Sequence, residues 1–476
     1  MQEARLKILF AASECTPIAK VGGLGDVIGA LPKALATFDV ALAKEGCDVR
    51  IVLPKYREID LTKEKVEHIS SFSYRGEEIK VYRGTLPGSS VPLYLLENER
   101  YFGENGIYFE RTAFVGSWKE IARFLFFSEL VGEFLPSVQW TPDIVHCNDW
   151  HTAAIPYFLK RKGIEAKTLL TIHNLANQGK WDEQQIREFL QITNEQEFPQ
   201  GNILRQGIIS ADLLNTVSPS YAKEILTKEY GEGLEDILRP RKKDLFGIVN
   251  GIDVERFNPA TDPDLKSKYS LKNPELKKEN KRYLQQIIGL PVDSSMPLFG
   301  FIGRLTSQKG IDLILETIPF LRETNCQLAV LGVGGKEYED GLETAAKNFP
   351  QNISSHIKFD AVLAQQIYAG VDFFLMPSKF EPCGLGQMIA MRYGTIPIVR
   401  KTGGLGDTVE HGKTGILFEE YNSQQLLSAL KKALELYRNE KKMQNMIACA
   451  MNQDFSWQKS AKKYLQLYQK LYALSH

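Results

Sequence analysis

Lys20–Asp26 reads K-V-G-G-L-G-D, and nearly the same string returns at Lys401–Asp407 as K-T-G-G-L-G-D. The first copy follows an apolar run that predicts a strand, Leu6–Ala12, and opens a run that predicts a helix, Val27–Ala36. A strand, a glycine-rich turn and a helix start together make an anion-binding corner. Glycine lets the backbone approach a ligand closely, and the unpaired N–H groups of a helix N-terminus point at it. Lys20 adds a mobile positive charge, and Asp26 falls where a first-turn carboxylate suits the helix dipole. A single turn of this kind is weak evidence, because tight strand-to-helix turns use glycine in any case. Two copies, one in each half of a long chain, predict two similar α/β domains that close their glycine loops over one cleft.

Outward from these strings, strands and helices alternate. Leu6–Ala12, Val49–Pro54, Ile144–Cys147, Thr168–Ile172 and Leu213–Val217 are short apolar runs separated by helical stretches, the pattern of a doubly wound parallel sheet. Alternation between Ser71 and Glu97 predicts an antiparallel hairpin added to it. A second series runs through Leu298–Ile302, Gln327–Leu331, Ile357–Phe359, Phe373–Met376 and Thr395–Val399, with helices such as Ile311–Thr324 between. The expected organisation is two Rossmann-like domains, 1–247 and 248–456. An amphipathic helix over 457–476 would carry Tyr464, Leu467 and Leu471 on one face and cross back onto the first domain. Ile248–Asp253 and the lysine-rich stretch to about Lys281 read as a linker leading to a helix. So thin a joint predicts that the cleft closes when a ligand binds.

Lysine plus arginine equals aspartate plus glutamate, 58 each among 476 residues, so no charge excess favours nucleic acid or an anionic membrane as partner. Six scattered cysteines with no C-x-x-C pair read as reduced thiols, neither a disulfide framework nor a zinc site. The most apolar stretch, Ile121–Leu135, carries Arg123, Glu129 and Glu133, which marks a buried helix and not a membrane span. With no signal-peptide pattern before the first strand, the expected location is cytoplasmic.

The chemistry-bearing residues cluster after predicted strands, where open sheets bind ligands. Arg304 and Lys309 in G-R-L-T-S-Q-K-G offer a planar fork and a point charge, a clamp for a diphosphate or else a pair of solvated cations. Glu381 in P-S-K-F-E-P-C-G-L lies beside much apolar sequence, as a ligand-bonding carboxylate or a helix N-cap would. His173 and Asn174 follow the strand Thr168–Ile172. His146, Asp149 and His151 in H-C-N-D-W-H-T invite a metal reading, but they straddle a strand end and a turn. Cys383 has no neighbouring base to activate it and reads as a packed thiol.

Taken in order, S-E-C-T-P-I-A-K-V-G-G-L-G-D, H-C-N-D-W-H-T, T-I-H-N-L, T-V-S-P-S-Y-A, V-N-G-I-D, G-R-L-T-S-Q-K-G, P-S-K-F-E-P-C-G-L and R-K-T-G-G-L-G-D-T-V resemble the bacterial glycogen synthases and plant starch synthases. That resemblance spans Lys7 to the final helix. It implies a B-type glycosyltransferase fold and retaining transfer of glucose to the non-reducing 4-hydroxyl of an α-1,4-glucan such as glycogen. The donor would be ADP-glucose, with UDP-glucose as a weaker second. It further implies that Arg304 and Lys309 bind the diphosphate, that Glu381 and His173 contact the transferred glucose, and that Asp149 points toward the acceptor. The backbone at Cys383, Gly384 and Leu385 would face sugar and phosphate. Lys20, Gly22, Gly23, Asp26, Asn174, Asn250, Thr402, Gly403 and Gly404 complete the implied substrate-binding set. No metal or further cofactor is called for, and the leaving phosphate would take the acceptor's proton.

Three features depart from the family. Gly25 and Gly406 stand where many relatives carry alanine, Thr37–Ala43 adds about two turns (~10 Å) at the far end of the first helix, and Phe359 replaces a common tyrosine. An aromatic face at Phe359 would stack on the donor's base, if that residue is not simply core. Rival readings are a glucan synthase preferring UDP-glucose, a two-domain transferase with a small sugar acceptor, and an inactive glucan-binding protein. A nicotinamide dehydrogenase lacks its G-x-G-x-x-G.

Overall fold

Residues 5–37, 47–108 and 117–474 are described by the computed structural model. Contacts divide the chain into a first unit, residues 1–251 with 457–476, and a second, residues 252–456. The first helix spans Gly23–Ala36, so it starts inside the glycine string, four residues before the expected Val27. Of the seven inserted residues Thr37–Ala43, Thr37 caps that helix and the rest lie outside the described residues.

In the first unit the strands are β1 (Lys7–Ala11), β2 (Asp48–Pro54), β3 (Glu67–Tyr74), β4 (Glu77–Thr85), β5 (Pro92–Glu97), β6 (Ile144–Asn148), β7 (Lys167–Ile172), β8 (Leu213–Thr216) and β9 (Leu245–Gly247). They form one sheet in the order β3-β4-β5-β2-β1-β6-β7-β8-β9. Pairing is parallel throughout except at β3–β4 and β4–β5, the expected hairpin region. The second unit has β10 (Leu298–Ile302), β11 (Gln327–Leu331), β12 (Ile353–His356), β13 (Phe373–Met376), β14 (Ile396–Arg400) and β15 (Ile416–Phe418), ordered β12-β11-β10-β13-β14-β15. All its pairs are parallel. In both sheets the chain winds outward from a central strand, returns and winds the other way. The reversal falls between β1 and β6 in the first unit and between β10 and β13 in the second. Loops leaving the carboxyl ends of such a pair diverge and open a crevice, the usual ligand position in doubly wound sheets.

Two expectations are corrected. The third strand of the second series is Ile353–His356, not Ile357–Phe359. Its pairing with β11 runs from Leu328↔Ile353 to Leu331↔His356, and the Lys358 amide then turns back onto the His356 carbonyl. The stretch after Asp253 is no loose linker. Tyr269 is buried and donates to the Tyr393 carbonyl at 2.7 Å, while Asp262, also buried, accepts from Gln365 Nε2 at 2.8 Å.

Trp118–Phe134 is a largely buried helix. Arg123 donates to the carbonyls of Tyr101, Gly106 and Ile107, and Glu129 pairs with Arg75 from the β3–β4 turn at 2.5 Å. Among the described residues, no helix is long and apolar enough to cross a membrane.

The last helix, Trp457–Ala473, packs on the first helix and on β7 within the first unit. Tyr464, Leu467, Tyr468 and Leu471 are all buried there. Under this helix runs a polar layer. The Tyr468 hydroxyl lies 2.8 Å from His146 Nδ1, His146 Nε2 lies 2.6 Å from Thr171 Oγ1, and Asn215 Nδ2 donates to Thr171 Oγ1 and to the Tyr464 hydroxyl. Burial holds the His146 ring well below its ordinary pKa, so it stays neutral and serves as both donor and acceptor. Tyr468→Phe removes one partner and strands a buried ring nitrogen, a loss of about 1–3 kcal/mol. Urea unfolding should therefore show a lower midpoint for Tyr468→Phe, while Leu474→Ala, at an exposed position, unfolds like the parent.

Candidate active site

At the reversal point of the first unit, the loop after β1 carries Glu14, Lys20 and the glycine turn, and the loop after β6 begins at Asp149. Asp149 sits at φ 57°, ψ −176°, a conformation that side-chain-bearing residues avoid at a cost of order 1–3 kcal/mol. Its surroundings hold it there. The Asp149 amide donates to the Thr171 carbonyl at 2.9 Å, and Oδ1 accepts the amides of His173 at 2.7 Å and Asn174 at 3.4 Å. Burial lifts the carboxyl to about 7, opposed by those two amides and reinforced by the charge of Glu14.

His173 follows β7 and points Nε2 at Asn148 Oδ1, 3.0 Å away. Asn148 spends its amide hydrogens on the carbonyls of Ala11 and His146, so its oxygen must accept. The proton of His173 is thereby fixed on Nε2, and Nδ1 is left as an acceptor. Burial keeps this ring neutral, with its pKa lowered to about 3. His146, by contrast, faces the last helix, and the His151 ring packs against Phe124, Trp150 and Tyr108. The three residues of the metal reading thus serve three different surroundings.

The glycine turn differs from expectation. The amides of Val21 and Gly22 do not stand open: both donate to Glu14 Oε2, at 2.8 and 2.7 Å. Lys20 is likewise not free, since its Nζ pairs with Asp26 Oδ1 at 2.6 Å. Gly23 begins the helix with open space where a Cβ would go.

In the second unit the loop after β10 carries Arg304 and Lys309, and the loop after β13 carries Glu381. Lys309 Nζ and Glu381 Oε2 pair at 2.5 Å, with the carboxylate buried and also accepting from Ser378 Oγ at 3.1 Å. The Lys379 amide donates to the Gln308 carbonyl at 2.8 Å and ties the two loops together. Arg304 is exposed and donates to Gln308 Oε1 at 3.2 Å. Glu381 is not a helix cap, because the N-cap position of the next helix, Gly386–Arg392, falls at Leu385.

The second glycine string packs closely on the Glu381 loop. Gly403 has φ 44°, and a Cβ there would lie 2.1 Å from the Glu381 carbonyl oxygen. The Gly404 amide is taken by the carbonyls of Glu381 and Pro382 at 3.1 and 3.2 Å. Gln387, which sequence reasoning missed, stitches the same loop by donating to the carbonyls of Cys383 and Gly384 and to Thr408 Oγ1. Cys383 and Thr402 are buried, and Gly384 sits at φ 72°. Asn250 is buried with Oδ1 unpartnered. Phe359 stands 90% exposed beyond β12, so it is not core. Gly406 has room for a methyl group, whereas a Cβ at Gly25 would press on Glu14 Oε2 at 3.1 Å.

The sheet orders define two doubly wound α/β units with charged side chains at their reversal points, and comparison with known proteins shows the class to be that of the glycosyltransferases. Residues 7–240 match the starch synthase catalytic domain and residues 286–452 the group 1 glycosyl transferases. A glycogen synthase of Thermotoga petrophila is 42% identical over 500 residues, covering 98% of this chain and 99% of its own. One from Alkaliphilus metalliredigens is 43% identical over 489 residues, covering 98% and 100%. The catalytic domain of starch synthase IV from Arabidopsis thaliana, solved with ADP and acarbose, matches with a TM-score of 0.86 at 34% identity, over 99% of this chain and 100% of that one. The chain belongs to the glycogen synthase and starch synthase family.

Because burial raises the folded Asp149 carboxyl from its ordinary 3.8 to about 7, its stabilising effect is complete below pH 3.8 and is lost as pH rises through 7. Asp149→Asn keeps an acceptor for the His173 amide and cannot ionise. Urea titrations should find Asp149→Asn more stable than the parent above pH 7, with the advantage shrinking as pH falls toward 4.

Proposed function

We propose that this enzyme transfers glucose, with retention, from ADP-glucose to the non-reducing 4-hydroxyl of an α-1,4-glucan, as a cytoplasmic glycogen synthase. The observation that carries the reading is the pairing of Lys309 with Glu381 across the reversal point of the second sheet, beside exposed Arg304. A lysine that neutralises a carboxylate in the free protein can turn to a diphosphate when one arrives. The released Glu381 oxygens then accept from the hydroxyls of the transferred glucose. Charge grows on the diphosphate as the glycosidic bond breaks, and preorganised cations stabilise that growth more than they stabilise the bound donor.

On this reading His173 Nδ1 accepts from a sugar hydroxyl, and the Asp149 carboxyl and the Asn174 side chain bind the acceptor. Asn250 Oδ1, buried and unpartnered, takes a substrate donor. Lys20 leaves Asp26 to join the phosphate charge. Gly22, Thr402, Gly403 and Gly404 contribute shape, since the Gly22 and Gly404 amides are already engaged. Attack from the face the phosphate leaves, with that phosphate taking the acceptor's proton, accounts for retention. No metal or cofactor is required, because three cations meet the charge.

Turnover measured with radiolabelled ADP-glucose and glycogen should fall at least ~100-fold in Arg304→Ala and in Lys309→Ala. EDTA should leave the parent unchanged. Activity lost to chelation and restored by a divalent ion would refute the metal-free reading, and transfer to a small sugar phosphate in preference to glycogen would refute the acceptor.

Phe359 supports the donor's base by stacking, which is worth ~1–3 kcal/mol and depends little on which base it is. Adenine offers the larger face, so ADP-glucose is the better donor and UDP-glucose a measurable second. Phe359→Ala should raise the donor KM several-fold and leave kcat nearly unchanged, with an unaltered melting curve because the side chain is exposed.

A further inference from the structure

Glu14 has no role in the reaction, yet it lies in the loop after β1, the strand paired with β6, and its charge acts on Asp149, the first residue after β6. It is 3% exposed, and both oxygens are engaged. Oε2 accepts the amides of Val21 and Gly22, and Oε1 accepts the Tyr108 hydroxyl at 2.7 Å. The Tyr108 oxygen in turn lies 2.9 Å from Ser13 Oγ, and the Ser13 carbonyl accepts the Tyr56 hydroxyl at 2.8 Å. Two adjacent amides on one oxygen at a helix start are how proteins hold a bound anion. Here the anion is the protein's own side chain, and Gly25 leaves it room.

We propose that Glu14 is a positioning residue for the transfer: its carboxylate fills the anion seat of the first glycine turn, keeping phosphate off those amides and fixing a negative charge beside Asp149. The part concerning Asp149 rests on the acceptor role given to that residue above. Among the described residues, Glu14 is the charged group that acts on it, because burial keeps the nearby His173 and His151 rings neutral and the Tyr221 phenol protonated. Around Glu14 itself, Tyr56 and Tyr108 keep their protons for the same reason, Arg123 lies beyond Tyr56, and Lys20 is paired with Asp26 on the turn. The donor phosphate is left to Lys20, Arg304 and Lys309. Asp149 then ionises at a higher pH than it would without that charge, which delays acceptor binding on the acid side.

Glu14→Gln separates charge from shape. Its amide oxygen still accepts both turn amides, and its amide hydrogens still reach Tyr108. Glu14→Ala opens the seat. The kcat/KM for glucan, followed against pH, should rise with the ionisation of Asp149, and in Glu14→Gln this acid limb should move to lower pH by several tenths of a unit. Asp149→Asn, assayed at its residual rate, should have no such limb. In Glu14→Ala, inorganic phosphate should inhibit at concentrations at least fivefold lower than in the parent. An acid limb unmoved in Glu14→Gln but absent from Asp149→Asn overturns the electrostatic part of the proposal. A limb that persists in Asp149→Asn overturns the acceptor reading instead, and phosphate inhibition then tests the anion seat by itself. Unchanged phosphate sensitivity in a folded Glu14→Ala overturns the anion seat. If Glu14→Ala does not fold, Glu14→Asp, whose shorter arm pulls away from the amides, takes its place in the phosphate assay.

Discussion

A parallel sheet must return each strand by a right-handed crossover, so a chain can cover both faces only by reversing its direction of winding once. The structure depends on that constraint twice. Between β1 and β6, and again between β10 and β13, neighbouring strands send their loops to opposite sides. The backbone cannot fill the space between them, so side chains must. Glu14 and Asp149 stand there in one unit, Lys309 and Glu381 in the other.

The two reversal points solve their electrostatics differently. In the second unit a cation and a carboxylate neutralise each other at 2.5 Å, a pair that an incoming phosphate can exchange. In the first unit two carboxylates stand in the loops that leave neighbouring strands. One accepts two amides and a phenol, and the other is pushed toward its neutral form. The near-identical glycine strings beside them have diverged in the same way. One wraps around a side-chain carboxylate, and the other packs its Cα atoms against the backbone of the Glu381 loop.

Much of this was legible in the sequence, because strand runs and glycine turns are local signals. Leu298–Ile302, Gln327–Leu331 and Phe373–Met376 were delimited to the residue. The misses share one cause, that a partner distant in sequence settles the matter. Phe359 read as strand because it is apolar, but β12 ends where β11 stops offering partners. The turn amides read as open because their acceptor, Glu14, lies in the preceding loop, inside a quoted string but with no role assigned to it. Gln387 carried no local sign of the three bonds it makes, and the strain at Asp149 has no sequence signature at all.

The polar layer beneath the last helix bears on how the chain is made. Residues 252–456 form a self-contained unit threaded between two parts of the other, so the unit begun first is completed last. As synthesis proceeds from the N-terminus, the second unit can close while His146, Thr171 and Asn215 still await Tyr464 and Tyr468. Until residues 457–473 leave the ribosome, one face of the nascent first sheet carries unmet hydrogen bonds and bare apolar surface. Release of residues 457–473 is therefore a folding step for this enzyme. A chain cut just before Trp457 would hold every residue of the second unit and leave the first one open.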